Sequence, residues 1–399
     1  MAFTPKIEIN ADKTAVNVLW DPTHTSRCNV KWLRFHCRCK RCVPEFSGMF
    51  PLDKDEFDDE LYLTSAQEKD GVLHVQIDKE VMENHETAIP FEWLKENCNC
   101  DSCLKADIAR SNFNFANPAT TSVPRVCYDS LQSQEGKFEC LKQIVDVGFC
   151  VIENVTRESL TVLKVGEMFG YIRSTLYEKF FDVKYEPDPY NSAYTSLGLP
   201  YHQDLPYYEA MPGVQLLHAL EFDDSIKGGE SQLVDLFHVA DILKKESPEN
   251  FEVLCTVPGT FQTKDLNRPN PAWYEHTRTH IEVDYFGNTV AIYWNPGVEG
   301  ALRVRFEDEE RYFKAYVHFL RILRRKELEF CFRMKPGDLI IFNNRRMAHA
   351  RKEYNTKEGK RHLQGCYINL DDMKSTYMVL AHKLGKKVVP PKVGNRCWY

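Results

Sequence analysis

Tyr201-His202-Gln203-Asp204 decides the reading, together with His349 in Arg346-Met347-Ala348-His349-Ala350-Arg351. His-x-Asp on a strand puts an imidazole and a carboxylate on one face, because strand side chains alternate with period two. A second imidazole brought in from downstream completes two histidines and one carboxylate on one side of a metal. Three coordination positions then stay open. Non-haem Fe(II) oxygenases need them, because a co-substrate and dioxygen must both reach the ion. A structural zinc site is closed by its protein ligands. The expected iron ligands are therefore His202, Asp204 and His349.

The residues leading to and from His349 fit that reading. Lys335-Pro336-Gly337-Asp338 reads as a turn, and Leu339-Ile340-Ile341-Phe342 as a buried strand that delivers His349. Arg361 then opens His362–Asn369, which alternates like a half-buried strand. An arginine there can clamp a carboxylate in a fork. Alone, Arg361 reads more simply as a surface charge.

Further motifs follow in order along most of the chain: Asn191-Ser192-Ala193-Tyr194-Thr195, Pro212-Gly213-Val214-Gln215-Leu216-Leu217-His218, Gly228-Gly229-Glu230-Ser231 and Arg361-His362-Leu363-Gln364-Gly365. With these the sequence resembles the 2-oxoglutarate-dependent oxygenases, and more narrowly the gamma-butyrobetaine and trimethyllysine hydroxylases. The resemblance implies an α+β protein whose catalytic domain is a double-stranded β-helix, jelly-roll-like, with flanking helices. It implies hydroxylation of gamma-butyrobetaine at C3 to L-carnitine, with Fe(II), 2-oxoglutarate and dioxygen, and ascorbate as reductant. It assigns Arg361, assisted by Ser231, to 2-oxoglutarate, and it implies a homodimer. Trimethyllysine or another trimethylammonium acid is the alternative substrate. An alternative of another class is a catalytically dead zinc-binding interaction protein, against which the intact triad and Arg361 stand.

The stretch before the iron motif is rich in aromatic residues, and a packed core is the plain explanation. A quaternary ammonium, however, is held by the negative faces of rings at about 0.5–2 kcal/mol each. By the resemblance, Tyr177, Phe181, Tyr194 and Tyr367 match cage positions, and Asn191 and Asn295 are the candidates to hold the substrate carboxylate.

The first hundred residues repeat a pattern. Trp32-Leu33 precedes Cys37, Cys39 and Cys42, and Trp93-Leu94 precedes Cys98, Cys100 and Cys103 at the same spacing. Three thiolates on one loop can take a tetrahedral Zn(II) if a fourth ligand arrives from elsewhere. His85 is the candidate for the first cluster, since His36 adjoins Cys37 and would have to bend back sharply. The resemblance places zinc there too. The second cluster has no obvious fourth ligand and reads as free surface thiols.

Of fourteen cysteines, six fall in these clusters, a pattern of reduced thiols and metal rather than bridges. The formal charge of -7 gives no support for nucleic-acid binding. No apolar run approaches a membrane span, and the N-terminus lacks an apolar signal core, so the expected location is the cytoplasm. The expected organisation is a zinc-binding α+β domain over 1–105, a polar linker over 106–125 and the oxygenase domain over 126–399. Helices are expected near 136–147, 157–170, 237–248 and 308–324, and strands near 149–152, 213–220, 231–235, 289–294, 337–342 and 363–369. His276 and His280 have metal-pair spacing without the glutamate of a metalloprotease helix and are expected in a surface loop.

Overall fold

The computed structural model describes residues 4–46, 53–111, 114–185, 195–268, 270–284, 287–355 and 359–391. The chain divides into two compact units, Met1–Arg110 and Ser111–Tyr399.

The first unit is made of strands β1 (Lys6–Ile9), β2 (Ala15–Asp21) and β3 (His24–Asn29), helix α1 (Val30–Phe35), strands β4 (Leu63–Lys69), β5 (Val72–Ile77) and β6 (Thr87–Pro90), and helices α2 (Phe91–Glu96) and α3 (Asp101–Ser111). Strands β1-β2-β3 form one sheet and β4-β5-β6 another. Alternating residues such as Val16, Val18, Leu73 and Val75 bury one face of each sheet in a shared core with Leu33 and Leu94. Helix α1 starts where Asn29 accepts from the amides of Lys31 and Trp32.

The second unit runs β7 (Arg125–Cys127), α4 (Gln134–Asp146), β8 (Phe149–Glu153), α5 (Thr161–Glu167), β9 (Phe181–Lys184), β10 (Leu199–His202), β11 (Val214–Phe222), β12 (Ser231–Asp235), α6 (Leu236–Glu246), α7 (Pro248–Thr256), β13 (Pro258–Asp265), β14 (Ala272–Thr279), β15 (Ile281–Val283), β16 (Thr289–Ile292), α8 (Phe306–Leu323), β17 (Phe330–Phe332), β18 (Leu339–Asn343), β19 (Met347–Arg351), β20 (Arg361–Ile368) and α9 (Leu370–Lys383). A six-stranded sheet has the order β7-β8-β18-β11-β20-β9, and a four-stranded sheet the order β10-β19-β12-β17.

Period two explains how these sheets make a site. Val214, Leu216, Leu339, Ile341, Cys366 and Ile368 point from the six-stranded sheet into a core shared with α4, α5 and α9. Their neighbours Gln215, Leu217, Ile340, Phe342, Arg361 and Leu363 point the other way and line a cavity. On the four-stranded sheet, Val234 and Ala348 face a core shared with α6, α7 and α8, while Ser231, Leu233, His349 and Arg351 line the same cavity. This is the double-stranded β-helix expected. The alternation expected of a half-buried strand over 362–369 is absent, because β20 is covered on both faces and is buried almost throughout.

The stretch expected as linker is not a free connection. Residues 106–111 belong to α3, and the Ala116 amide donates to Asp235 at 2.9 Å. Asp235 also caps α6 through the Phe237 amide and pairs with Arg346 at 2.8 Å, both side chains being fully buried. The Arg346 guanidinium further donates to the carbonyls of Val145, Asp146 and Asn114. Removing one partner of a buried pair leaves the other charge uncompensated. Asp235→Ala is therefore expected to destabilise this unit by about 3–5 kcal/mol, read from urea unfolding of the full chain.

His276 and His280 do not lie in a surface loop. His276 is on β14, and His280 is buried, its ring nitrogens 2.8 Å from the Tyr293 carbonyl and 2.7 Å from the Tyr312 hydroxyl. The chain passes straight from β14 into β15, with no room for a loop. Both ring nitrogens of His280 serve the core.

Candidate iron, co-substrate and zinc sites

β10 and β19 run antiparallel, with His202 directly opposite His349 and their ring centroids 4.1 Å apart. Asp204 joins them from outside the strand. β10 ends at His202, so the imidazole and carboxylate are not aligned by strand alternation as expected. A turn brings them together, and the buried Gln203 between them organises it. Its amide donates to the Trp294 carbonyl, its side-chain oxygen accepts from the Trp294 amide, and its side-chain nitrogen donates to the Asn344 carbonyl, at 2.8–2.9 Å. The Asn344 side chain accepts from the Asp204 amide and donates to its carbonyl at 2.8 and 3.0 Å. Leu205 follows with φ of 61°. For a side-chain-bearing residue this left-handed conformation costs roughly 1–2 kcal/mol, and the network on its N-terminal side holds it there.

Asn295 belongs to this network as well. Its side-chain nitrogen donates to the Gln203 carbonyl at 2.9 Å, and its oxygen accepts from the Gly297 amide at 3.0 Å. These bonds help hold the iron turn and use one of the two N–H groups of the side chain, which leaves the other for the substrate carboxylate expected of it.

The three ligand atoms lie within 4.8 Å of one another. Asp204 Oδ1 is 3.4 Å from His202 Nε2 and 3.8 Å from His349 Nε2. His202 Nδ1 sits 2.7 Å from the Pro200 carbonyl. A carbonyl can only accept, so Nδ1 carries the proton and Nε2 offers its lone pair to the metal. The other Asp204 oxygen accepts from the Tyr367 hydroxyl at 2.7 Å. Burial would raise the carboxyl, but His202 and His349, which carry positive charge when protonated, and the Tyr367 hydroxyl hold it well below the usual range. Burial pushes His349 down to about 3. An ionised carboxylate and a neutral imidazole are the protonation states that metal binding requires.

The cavity between the sheets contains His202, Asp204, His349, Ser231 and Arg361. Arg361 is buried, and its guanidinium lies over the rings of Phe222 and Tyr354 at 5.0 and 5.2 Å. Nε and Nη1 have no hydrogen-bond partner among the described residues. Burial and the charge of Arg351 push the group down to about 10, so it remains a cation at neutral pH. A buried cation with unspent N–H groups calls for an anion. Gly229 makes room beside it, since a Cβ there would lie 3.3 Å from Arg361 Nε. The donor set thus fits an oxygen-rich dicarboxylate with one end at the metal and the other at Arg361.

Three of the four expected cage rings are described, and they form one cluster. Phe181 lies 5.7 Å from Tyr177 and 5.2 Å from Tyr367, ring centre to ring centre. Tyr207, which sequence reading passes over, joins them in the same packed cluster. Tyr194 and Asn191 lie outside the described residues. Phe181 packs across Gly365 on β20, where a Cβ would meet its ring at 2.4 Å. Gly365→Ala is therefore expected to push Phe181 aside. The organic substrate's KM should rise at least ~10-fold while that of 2-oxoglutarate barely changes, as steady-state kinetics with each varied in turn would read.

In the first unit, His85 Nε2 sits 3.6, 3.5 and 3.2 Å from the sulfurs of Cys37, Cys39 and Cys42. His85 Nδ1 is 3.0 Å from Glu80, which also pairs with buried Arg34 at 2.6 Å. A histidine held from behind by a carboxylate is the usual support for zinc. The second trio is not wholly at the surface. Cys98 is buried, and His24 joins Cys98, Cys100 and Cys103 with all four ligand atoms within 4.8 Å. A signal for His24 exists in the sequence: it precedes Cys37 by the interval at which His85 precedes Cys98.

An open two-histidine, one-carboxylate face beside a buried arginine defines an Fe(II)- and 2-oxoglutarate-dependent oxygenase. The chain belongs to the Taurine catabolism dioxygenase TauD, TfdA family, which matches residues 117–367, and residues 7–79 match the gamma-butyrobetaine hydroxylase-like N-terminal family. It is 31% identical to a gamma-butyrobetaine dioxygenase of Pseudomonas sp. (strain AK-1), covering 92% of this chain and 94% of the relative. The corresponding values are 26%, 92% and 95% for a gamma-butyrobetaine dioxygenase of Pongo abelii. For a trimethyllysine dioxygenase of Meyerozyma guilliermondii they are 26%, 94% and 95%. The protein is a dioxygenase that uses iron and 2-oxoglutarate. Among the described residues no helix is long and apolar enough to cross a membrane.

Proposed function

We propose that this dioxygenase hydroxylates gamma-butyrobetaine at C3, giving L-carnitine. One oxygen atom of O2 enters the C3–H bond, and the other enters the succinate formed as 2-oxoglutarate loses CO2. Bound Fe(II) supplies the activation of dioxygen, with ascorbate as reductant. His202, Asp204 and His349 hold the ion, and Arg361 with Ser231 holds the far carboxylate of 2-oxoglutarate. The observation that carries the substrate class is the cluster of Tyr177, Phe181 and Tyr367. Ring faces bind a trimethylammonium group, which offers no hydrogen-bond donor. The Tyr367 hydroxyl is bonded to the iron-ligating carboxylate, so the cage and the metal are fixed relative to each other.

Cys37, Cys39, Cys42 and His85 bind a structural Zn(II) in this reading, and the protein works as a cytoplasmic homodimer. The iron-loaded protein, given 2-oxoglutarate and ascorbate with gamma-butyrobetaine or trimethyllysine, tests the substrate by mass spectrometry. Carnitine formed in step with succinate is the expected result. Hydroxytrimethyllysine instead would move the assignment to the second group of relatives, and succinate with neither product would overturn both substrates.

A further inference from the structure

The first unit is a duplication. His24, Trp32, Leu33, Cys37, Cys39 and Cys42 each recur 61 positions later as His85, Trp93, Leu94, Cys98, Cys100 and Cys103. Each half has three strands, a six-residue helix and a cysteine loop. The main chain repeats as well. Cys37 N donates to Arg34 O and Cys98 N to Lys95 O, both at 3.3 Å, while Val43 N donates to Cys39 O and Leu104 N to Cys100 O, both at 2.9 Å. The equivalent Trp32 and Trp93 meet with ring centroids 5.9 Å apart.

The histidines are exchanged between the halves. His85 of the second half meets the thiols of the first, and His24 of the first half meets those of the second. In a tetrahedral zinc site with Zn–S near 2.3 Å and Zn–N near 2.0–2.1 Å, the nitrogen lies ~3.6 Å from each sulfur. His24 Nε2 is 3.3 Å from Cys98 and 3.4 Å from Cys103, inside the 3.2–3.6 Å span of the first cluster. Behind Cys98 a buried chain of donors points at its sulfur: Trp20 Nε1–H to Ser26 at 2.7 Å, and the Ser26 hydroxyl to Cys98 at 2.9 Å. Such an orienting hydroxyl suits a metal-bound thiolate.

We propose that His24, Cys98, Cys100 and Cys103 form a second structural zinc site, so that the unit carries two ions. Each ion ties three sulfurs of one half to the histidine of the other. The two ions cross-link the halves in opposite senses, as suits a unit of about a hundred residues whose two small sheets share one core. The supports differ. The first site has the charged pair Glu80 and Arg34 behind it, whereas the second has Ser26 and Trp20, and Cys100 and Cys103 are less buried than Cys37 and Cys42. The second ion should therefore leave first on exposure to a chelator.

Elemental analysis of the full-length, Fe(II)-loaded protein tests this. The parent protein should carry two zincs, Cys100→Ser should lose one, and Cys39→Ser, which probes the first site separately, should lose the other. His24→Ala removes the fourth ligand and should release one ion to a chelator faster than the parent does, with the other ion unaffected. If Cys100→Ser loses both ions through the cross-link, His24→Ala decides: faster release of one ion upholds the assignment, and release of both at the parent's rates overturns it. A parent protein with a single zinc that Cys100→Ser leaves in place also overturns it, as does a two-zinc protein indifferent to Cys100→Ser.

Discussion

Asp204→Ala is expected to release no more succinate than an iron-free control, a loss of at least ~100-fold. The carboxylate supplies the only negative charge in the triad, and both histidines face it at 3.4 and 3.8 Å. Without it two neutral imidazoles would have to hold a divalent cation alone. The loss should appear first as iron content, since His202 and His349 remain correctly paired across β10 and β19. Tyr367→Phe offers a graded comparison. It removes the hydrogen bond to the second Asp204 oxygen and keeps the ring, so iron affinity should fall about 10–100-fold while the cage survives. Iron titration and succinate assays on both variants separate the two effects. Retained turnover in Asp204→Ala would remove Asp204 from the metal shell.

The candidate iron site was legible in the sequence because its residue types have few substitutes and its strands are strongly patterned. Leu339–Phe342 could only be buried, and a buried strand ending there carries His349 to the right place. The mechanism of alignment was not legible. His-x-Asp suggests strand alternation, whereas the carboxylate is placed by a turn with Leu205 in a left-handed conformation. That turn depends on Asn344, 140 residues away in the chain, and a contact of that range leaves no local pattern. Asn295 illustrates the same limit. An asparagine near the pocket can serve substrate, main chain or both, and its bond to the Gln203 carbonyl could not be read from the sequence.

The candidate zinc ligands show the opposite case. His85 could be chosen among few candidates, whereas His24 stands 74 residues from Cys98 with no local pattern linking them. The repeat carries the missing information, because a duplicated unit that exchanges one histidine must exchange the other. Periodicity over tens of residues was the stronger signal here, and local spacing the weaker one.

Arg361→Met should raise the apparent KM for 2-oxoglutarate at least ~10-fold, while the parent and variant fold alike. Hydrogen bonds to a charged group contribute roughly 1.5–3 kcal/mol, a factor of about 10 to 150 in affinity. The stability of the protein without co-substrate should move the other way. Burial depresses Arg361 to about 10 from the ordinary 12.5. For a base, a depressed value in the folded state means that the fold disfavours the charged form. That penalty, on the order of 3 kcal/mol, is fully present at neutral pH and is relieved only as pH rises past 10. Methionine keeps the packing over Phe222 and Tyr354 and removes the charge, so Arg361→Met should be at least as stable as the parent when 2-oxoglutarate is absent. Saturating 2-oxoglutarate, with Mn(II) in place of iron to prevent turnover, should then raise the parent's stability by about 2.7 kcal/mol at a hundred times its Kd, and the variant's at the same concentration by about 1.4 kcal/mol or less. A thermal-shift titration reads both predictions at once. An equal shift in the two proteins would place the far carboxylate of 2-oxoglutarate on another residue.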